Sequence, residues 1–238
     1  IGSGVHDFTA GRTLLTTGTT TWTNAAGNDG QIRFGGNARI DNEGTWLDNT
    51  SVNTSINSNL GGGSFNNTAS GVYQKNTATT VNLSSQFNND GLVDIQAGTL
   101  ILSGGGTHSG DFQFAPGAQL SLSSGTHNFL ASSSLTGDAF TFSGGTVNMA
   151  GTYNIGGTTT VSGGNNSLAG ATVLDIGDTL VISGGSLAKS TTKPSSGSES
   201  PSPPTMTPAF ASSRIAAWVM EVPVPNKRTV ELAMGMFQ

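Results

Sequence analysis

Short runs of alternating hydrophobic and polar residues recur along the middle of the chain, and a serine follows each run. Two examples are Leu-Ile-Leu-Ser-Gly-Gly at 100–105 and Phe-Thr-Phe-Ser-Gly-Gly at 140–145. The serines of this phrase lie at positions 84, 103, 123, 143, 162 and 183, so the steps between them are nearly constant. Alternation over a few residues between glycines is typical of β-strands. The pattern therefore predicts a strand that returns about every 20 residues.

A second strand is predicted at a fixed distance before the first. It reads Val-Asp-Ile at 93–95 and Leu-Asp-Ile at 174–176, and Phe-Asn-Asn at 65–67 returns at 87–89. A unit this short cannot bury its own hydrophobic face, so it must stack on its neighbours. Stacked equivalent strands form parallel sheets. The sequence therefore predicts an all-β fold, a parallel β-helix (solenoid) with about 20 residues per coil.

Stacking is expected to place similar residues in columns along the solenoid axis. The predicted inward residues are Leu100, Leu102, Leu120, Leu122, Phe140, Phe142, Leu180 and Ile182. At the corners, glycine permits positive φ, and asparagines at 66–67 are expected to form a hydrogen-bonded ladder with those at 88–89. An antiparallel β-sandwich is the main alternative fold, but it does not require one phrase at a constant spacing.

The repeat divides the chain into three predicted parts. The β-helix covers residues 1–188, with regular coils over about 60–188 and looser coils before them. Residues 189–208 are rich in Ser, Thr and Pro, which is typical of a linker. Residues 209–238 share nothing with the repeat. This short C-terminal segment is interpreted as a cap on the open end of the solenoid, the start of another module, or a tail added by cloning or a shifted reading frame.

Composition narrows the classes of function. The chain has 238 residues, with 35 glycines, no cysteine, 10% charged residues and a formal net charge of −5. These values argue against a helical bundle, a disulfide framework, a zinc–cysteine site, a cysteine enzyme and a basic nucleic-acid-binding protein. No hydrophobic run approaches the length of a membrane span, so no transmembrane helix is expected. A secretion signal is expected to be absent or already removed, since no charged region and apolar stretch follow Ile1.

The order Phe-Asn-Asn-x-Gly, Val-x-Ile and Gly-Thr-Leu-x-Leu-Ser-Gly-Gly over 87–105 resembles a known family of repeats. It is similar to the glycine-rich β-strand repeats of bacterial autotransporter passenger domains and filamentous-haemagglutinin-like surface adhesins. The resemblance covers about residues 20–188. It implies a right-handed β-helix, a secreted or cell-surface location in a bacterium, and a structural or adhesive function.

Parallel β-helices also include polysaccharide lyases and glycoside hydrolases. A lyase needs a basic proton acceptor or calcium among clustered acids, and there is no Lys or Arg between Asn76 and Ala188. A hydrolase needs two carboxyl groups roughly 5 to 9.5 Å apart. We interpret the chain as a non-enzyme that needs no cofactor. The alternative is carbohydrate binding, or processing by one of these two enzyme classes, along one face of the helix.

One group of residues on neighbouring coils could form a site. Asp90 and Asp111 fall in nearly the same predicted position on adjacent coils, and His108 and His127 lie nearby, also one predicted coil apart. Carboxylates about 5 to 6 Å apart could bridge a calcium ion or raise one pKa. All four are candidate catalytic residues, and the two aspartates are candidate calcium ligands. The alternative is that exposed corner residues recur because the coil recurs.

Extracellular or host-surface glycans are the expected partners if aromatic side chains are exposed to stack on sugar rings. The candidates are Trp22, Trp46, Tyr73 and Tyr153. The alternative is that these side chains fill the wider coils. Self-association through the ends of the helix is a further expectation, because an open solenoid exposes unpaired strand edges.

Overall fold

The computed structural model describes residues 1–189, and within this range the protein is all β, with 24 strands and no helix. Apart from Lys189, the predicted linker at 189–208 and the predicted C-terminal segment at 209–238 lie outside the described residues. In chain order the strands are β1 (His6–Phe8), β2 (Thr13–Thr16), β3 (Thr19–Trp22), β4 (Ile32–Gly35), β5 (Ala38–Asn42), β6 (Thr45–Asp48), β7 (Thr54–Leu60), β8 (Gly63–Asn67), β9 (Val72–Lys75), β10 (Thr80–Leu83), β11 (Gln86–Asn89), β12 (Leu92–Ile95), β13 (Thr99–Leu102), β14 (Gly106–His108), β15 (Asp111–Phe114), β16 (Gln119–Leu122), β17 (Thr126–Phe129), β18 (Ser134–Phe142), β19 (Thr146–Met149), β20 (Thr152–Val161), β21 (Asn165–Ser167), β22 (Thr172–Ile176), β23 (Thr179–Ile182) and β24 (Ser186–Ala188).

The strands stack into three ladders, because each coil of the chain adds one strand to each. Ladder 1 runs β1-β4-β7-β10-β13-β16 and continues through β18 and β20 to β23. Ladder 2 runs β3-β6-β9-β12-β15 and continues through β18 and β20 to β22, since these two long strands turn a corner and serve both ladders. Ladder 3 is the nine-stranded sheet β2-β5-β8-β11-β14-β17-β19-β21-β24. Neighbouring strands run parallel, which confirms the predicted solenoid and excludes the sandwich.

The coils are longer near the N terminus than in the repeat. The mean is roughly 21 residues per turn. Thr19 pairs with Thr45 and Thr45 pairs with Val72, so these two coils each exceed the mean by several residues. From β9 onward the coils shorten to the predicted period, because Val72 pairs with Leu92 and Leu92 with Asp111. The register of the repeat is loose in the first coils because each one contains these extra residues.

The interior is a column of hydrophobic side chains stacked in register. Six of the eight predicted inward residues have no exposed surface: Leu100, Leu102, Leu120, Leu122, Phe140 and Phe142. The prediction fails in the last coil, where Leu180 is only partly buried and Ile182 is 56% exposed. Both side chains lie on β23, the last strand of its ladder in the described range, so no further described strand covers them.

Each of the two glycines in the Ser-Gly-Gly corner meets a different steric requirement. The first, as at Gly144, packs against the carbonyl oxygen of Ser123 in the preceding coil, and a Cβ atom at this position would overlap that oxygen. The second, as at Gly145, has a φ of 77°, in the left-handed region that glycine adopts most readily. The corner therefore combines close stacking with a positive φ.

Asparagines form one ladder inside the wall and one outside. Inside, Asn67 Nδ2 donates to Asn89 Oδ1 at 2.8 Å, and outside, Asn88 Nδ2 donates to Asn66 Oδ1 at 2.9 Å. These bonds confirm the predicted ladder. The inner ladder extends toward the N terminus, since Asn42 Nδ2 donates to Asn67 Oδ1 at 2.8 Å. Buried amides thus find their partners in the neighbouring coil.

Candidate functional site

Both candidate histidines lie inside the solenoid. His108 on β14 and His127 on β17 have no exposed surface, and their rings stack with centroids 5.5 Å apart. His108 Nε2 is 3.2 Å from His127 Nδ1. His127 Nε2 is 3.1 Å from the carbonyl oxygen of Ser124, which can only accept, so this nitrogen carries the proton and Nδ1 accepts from His108. His108 Nδ1 is then buried without a hydrogen-bond partner.

Phenylalanine rings enclose the pair. The centroids of Phe112 and Phe129 are 5.1 Å and 4.6 Å from that of His108. Burial lowers the pKa of His127 from 6.5 to about 4, against the opposing effect of hydrogen bonds to backbone carbonyls. Burial, and secondarily the charge of His127, lowers the pKa of His108 well below 6.5. Both imidazoles are therefore neutral near pH 7, and neither is accessible to a substrate.

The two candidate aspartates do not stack on each other. Asp111 pairs in register with Leu92, whereas Asp90 accepts a hydrogen bond from the hydroxyl of Ser109 at 2.5 Å. The two aspartates are further from alignment than the nearly equal positions predicted, because the residue opposite Asp111 is Leu92, two positions beyond Asp90 along the chain. Both aspartates are exposed on the outer surface. The catalytic and calcium-binding roles of Asp90 and Asp111 stay predictions. The aligned positions on which they were based are not present.

The four candidates therefore do not converge. The wall of the solenoid separates the buried imidazoles of His108 and His127 from the exposed carboxylates of Asp90 and Asp111. Within residues 1–189, no group of three or more His, Cys, Asp or Glu side chains is arranged to hold a metal ion. In the same part of the chain, no helix has the length and hydrophobicity needed to span a membrane.

A buried polar cluster lies in the N-terminal coils, where the sequence analysis predicted no site. Asp48 and Lys75 are in register on β6 and β9, and neither has exposed surface. Tyr73 Oη donates to Asp48 Oδ2 at 3.0 Å, and Thr50 Oγ1 donates to Asp48 Oδ1 at 2.8 Å. Lys75 Nζ donates to Thr79 Oγ1 at 3.1 Å, and this oxygen is 3.2 Å from Thr50 Oγ1. Two threonine hydroxyls thus connect the lysine to the aspartate.

Burial dominates the electrostatics of this cluster. It raises the pKa of Asp48 and lowers the pKa of Lys75, while the charge of each residue partly offsets the shift of the other. Burial also raises the pKa of Tyr73 well above 10. The cluster is enclosed by the coils, so its chemistry can hold neighbouring coils in register but offers no group to a ligand in solution.

The aromatic residues that could stack on sugar rings are all inside. Trp22, Trp46, Tyr73 and Tyr153 have no exposed surface. Trp22 Nε1 donates to the carbonyl of Gly30 at 2.9 Å, and Tyr73 hydrogen-bonds to Asp48 within the cluster. The alternative interpretation, in which these side chains fill the coils, is therefore confirmed.

A search of protein-family models, of curated proteins and of solved structures finds no match to this chain. The family resemblance of the repeat consequently rests on the residues of the chain itself, and the β-solenoid fold rests on the ladders.

Proposed function

We propose that the protein is a structural β-solenoid from a bacterial secreted or cell-surface protein, and that it acts in adhesion as a spacer or display scaffold. The observation that carries this proposal is the position of the chemically versatile side chains. The imidazoles of His108 and His127, the Asp48–Lys75 pair and the tryptophans and tyrosines of the coils are all buried. These groups stabilise stacking, as a scaffold requires.

The outer wall supports the same function. Asn148 Nδ2 donates to Asn128 Oδ1 of the preceding coil at 2.8 Å, and Asn66 Nδ2 donates to Asp41 Oδ1 at 2.7 Å. Outward amides therefore use part of their hydrogen-bonding capacity on the next coil. A wall of this kind favours regular stacking over recognition of a small molecule.

Carbohydrate binding or processing along one face is the alternative function, and it has less support than the scaffold function. Sugar-binding surfaces commonly present aromatic faces, and the described coils expose no Trp or Tyr. The exposed acids Asp90 and Asp111 are not opposite each other, so the pairing of the strands does not by itself bring their carboxylates together.

Cell localisation and adhesion test the proposal directly. In the bacterium that encodes the chain, antibody labelling of intact cells and release by external protease should place the protein outside the cell, and its deletion should reduce attachment to surfaces. A purely cytoplasmic protein would contradict the proposal. A glycan array with the purified chain addresses the second function, since saturable binding to one glycan class would favour it.

A scaffold also tolerates loss of a whole coil. Ala139 pairs with Thr158 and Phe140 with Thr159, so deletion of residues 140–158 joins Ala139 to Thr159 without changing the register. We expect the shortened protein to fold, to remain active in attachment, and to be about 4.8 Å shorter by small-angle scattering. Deletion of residues 140–149 is the control, because it removes only part of a coil and should disrupt folding.

A further inference from the structure

The regular pairing of ladder 3 is shortest where β14 joins β11. β11 and β14 pair at a single position, Asn89 with His108, whereas β8 and β11 pair at four positions. The pairing of β17 with β19 again covers four positions. Backbone bonds on either side, from Phe87 N to the carbonyl of Gly105 and from Ser109 N to the carbonyl of Asn89, complete this junction. The regular pairing of β14 with β11 is therefore shorter than that of the neighbouring strands.

The inner asparagine ladder ends at the same level. Asn67 donates to Asn89, but Asn89 Nδ2 donates onward to the carbonyl of Asp111, at 3.1 Å, and not to His108. His108 takes the next place in the column, and Phe129 follows it in register. The histidine pair therefore occupies a junction between a hydrogen-bonded interior and a hydrophobic one.

We propose that the junction between the two adjacent coils that carry His108 and His127 is an acid-sensitive seam, at which the solenoid opens locally when these histidines take up protons. An imidazolium donates from both ring nitrogens. A proton on His127 Nδ1 can be accepted by His108 Nε2, 3.2 Å away, only if His108 carries its own proton on Nδ1. His108 Nδ1 has no partner, so the closed seam leaves this N–H buried without an acceptor.

No opposite charge faces the pair from the surrounding strands. The inward residues of β11, β12, β13, β15, β16 and β19 are Phe87, Asn89, Val93, Ile95, Leu100, Leu102, Phe112, Phe114, Leu120, Leu122, Val147 and Met149, none of which is charged. The acids nearest along the chain to the two histidines are Asp94, Asp111 and Asp138, and none of them is buried. A buried charge without a partner is expensive, so protonation favours the open state in which water reaches the imidazoles.

Hydrogen exchange on the full chain tests the seam. Amide exchange is measured above pH 6.5 and near pH 4, the range over which burial displaces the pKa of His127, and is corrected for intrinsic rates. We expect acid to reduce protection in β14 and β17 selectively. Strands β8 and β19 are the internal controls, because they carry no inward titratable residue.

The repeat supplies a matched variant. Phe129 pairs with His108, and Val147 pairs with His127, each one coil later. The double variant His108→Phe, His127→Val therefore gives each seam position the residue that the following coil has there. Loss of the acid-specific exchange in this variant would support the proposal. Equal protection of β14 and β8 near pH 4 in the wild-type chain, or acid opening that persists in the variant, would overturn it. Circular dichroism near neutral pH shows whether the variant folds. If it does not fold, the comparison of β14 with β8 in the wild-type chain tests the proposal alone.

Discussion

Substitution of Asn67 by alanine should lower the free energy of unfolding strongly, because this buried side chain links three coils by hydrogen bonds. The two hydrogens of the side-chain amide are shared among Asn89 Oδ1 and the carbonyls of Gly71 and Leu92, and its oxygen accepts from Asn42. Asn67→Ala removes these contacts and leaves Asn89 Oδ1 buried without this donor. A buried unsatisfied acceptor costs about 1–3 kcal/mol, and each other lost bond about 0.5–1.5 kcal/mol. We therefore expect the free energy of unfolding to fall by about 3–5 kcal/mol.

The neighbouring asparagine of the outer ladder is a matched control. Asn66 donates to Asp41 and accepts from Asn88, but it lies on the outer wall, where water can replace both partners. Asn66→Ala should cost about 0.5–1.5 kcal/mol. Urea unfolding measures the loss in both variants, provided that the dependence of the unfolding free energy on urea concentration keeps the wild-type slope. Equal losses for Asn66→Ala and Asn67→Ala would refute the argument that burial of the inner ladder sets its contribution.

Three further predictions address other contacts. Lys75→Met leaves the carboxylate of Asp48 buried without its cation, and thermal unfolding should show a loss of about 3–5 kcal/mol. Gly144→Ala should cost about 1–3 kcal/mol in urea unfolding because its Cβ would meet a backbone carbonyl. At Gly156 the nearest atom to an added Cβ is the carbonyl oxygen of Gly137 at 4.0 Å, an ordinary contact, so Gly156→Ala should be nearly neutral. The pKa of His127 falls from 6.5 to about 4 on folding, so the unfolded chain binds this proton more readily. The contribution of His127 to the free energy of unfolding should be fully present above pH 6.5, and about 3 kcal/mol should be lost as the pH drops to 4. Urea midpoints that do not change over this range would contradict the burial of a neutral His127.

The sequence was sufficient to predict the parts of the fold that depend on regular spacing. The serine–glycine phrase returns at nearly constant steps, and it therefore predicted parallel stacking, the buried columns over 100–142 and the asparagine ladder. It failed at Ile182, because a strand at the end of a ladder has the inward pattern without the neighbour that would cover it. Periodicity predicts which way a side chain points, but not whether another coil lies above it.

The candidate site failed for a different reason. The spacing to the following serines predicts that Asp90 and Asp111 are offset by one position, but the segments between strands vary in length, so the actual offset is two positions. The burial of His108 depends on the pairing of Asn89 with β14, which the spacing of the histidines alone does not reveal.

The Asp48–Lys75 cluster left a signal in the sequence. Trp-Leu-Asp at 46–48 and Tyr-Gln-Lys at 73–75 each place an aromatic residue and a charged residue at alternate positions. The spacing between these segments exceeds the period of the regular repeat, so the repeat does not align them. Irregular coil length concealed the one buried charge pair of the described coils.

The buried polar residues also answer a problem that a regular solenoid creates. Coils of nearly equal length and similar hydrophobic interiors could stack one coil out of register with little loss of burial. Such a slip would place Asp48 opposite a residue other than Lys75 and would end the Asn42–Asn67–Asn89 ladder at an apolar neighbour. Because an unpaired buried charge or amide is costly, each misaligned stack would carry a penalty that the native register avoids. The polar interior of the first coils therefore favours the native register at the N-terminal end of the solenoid.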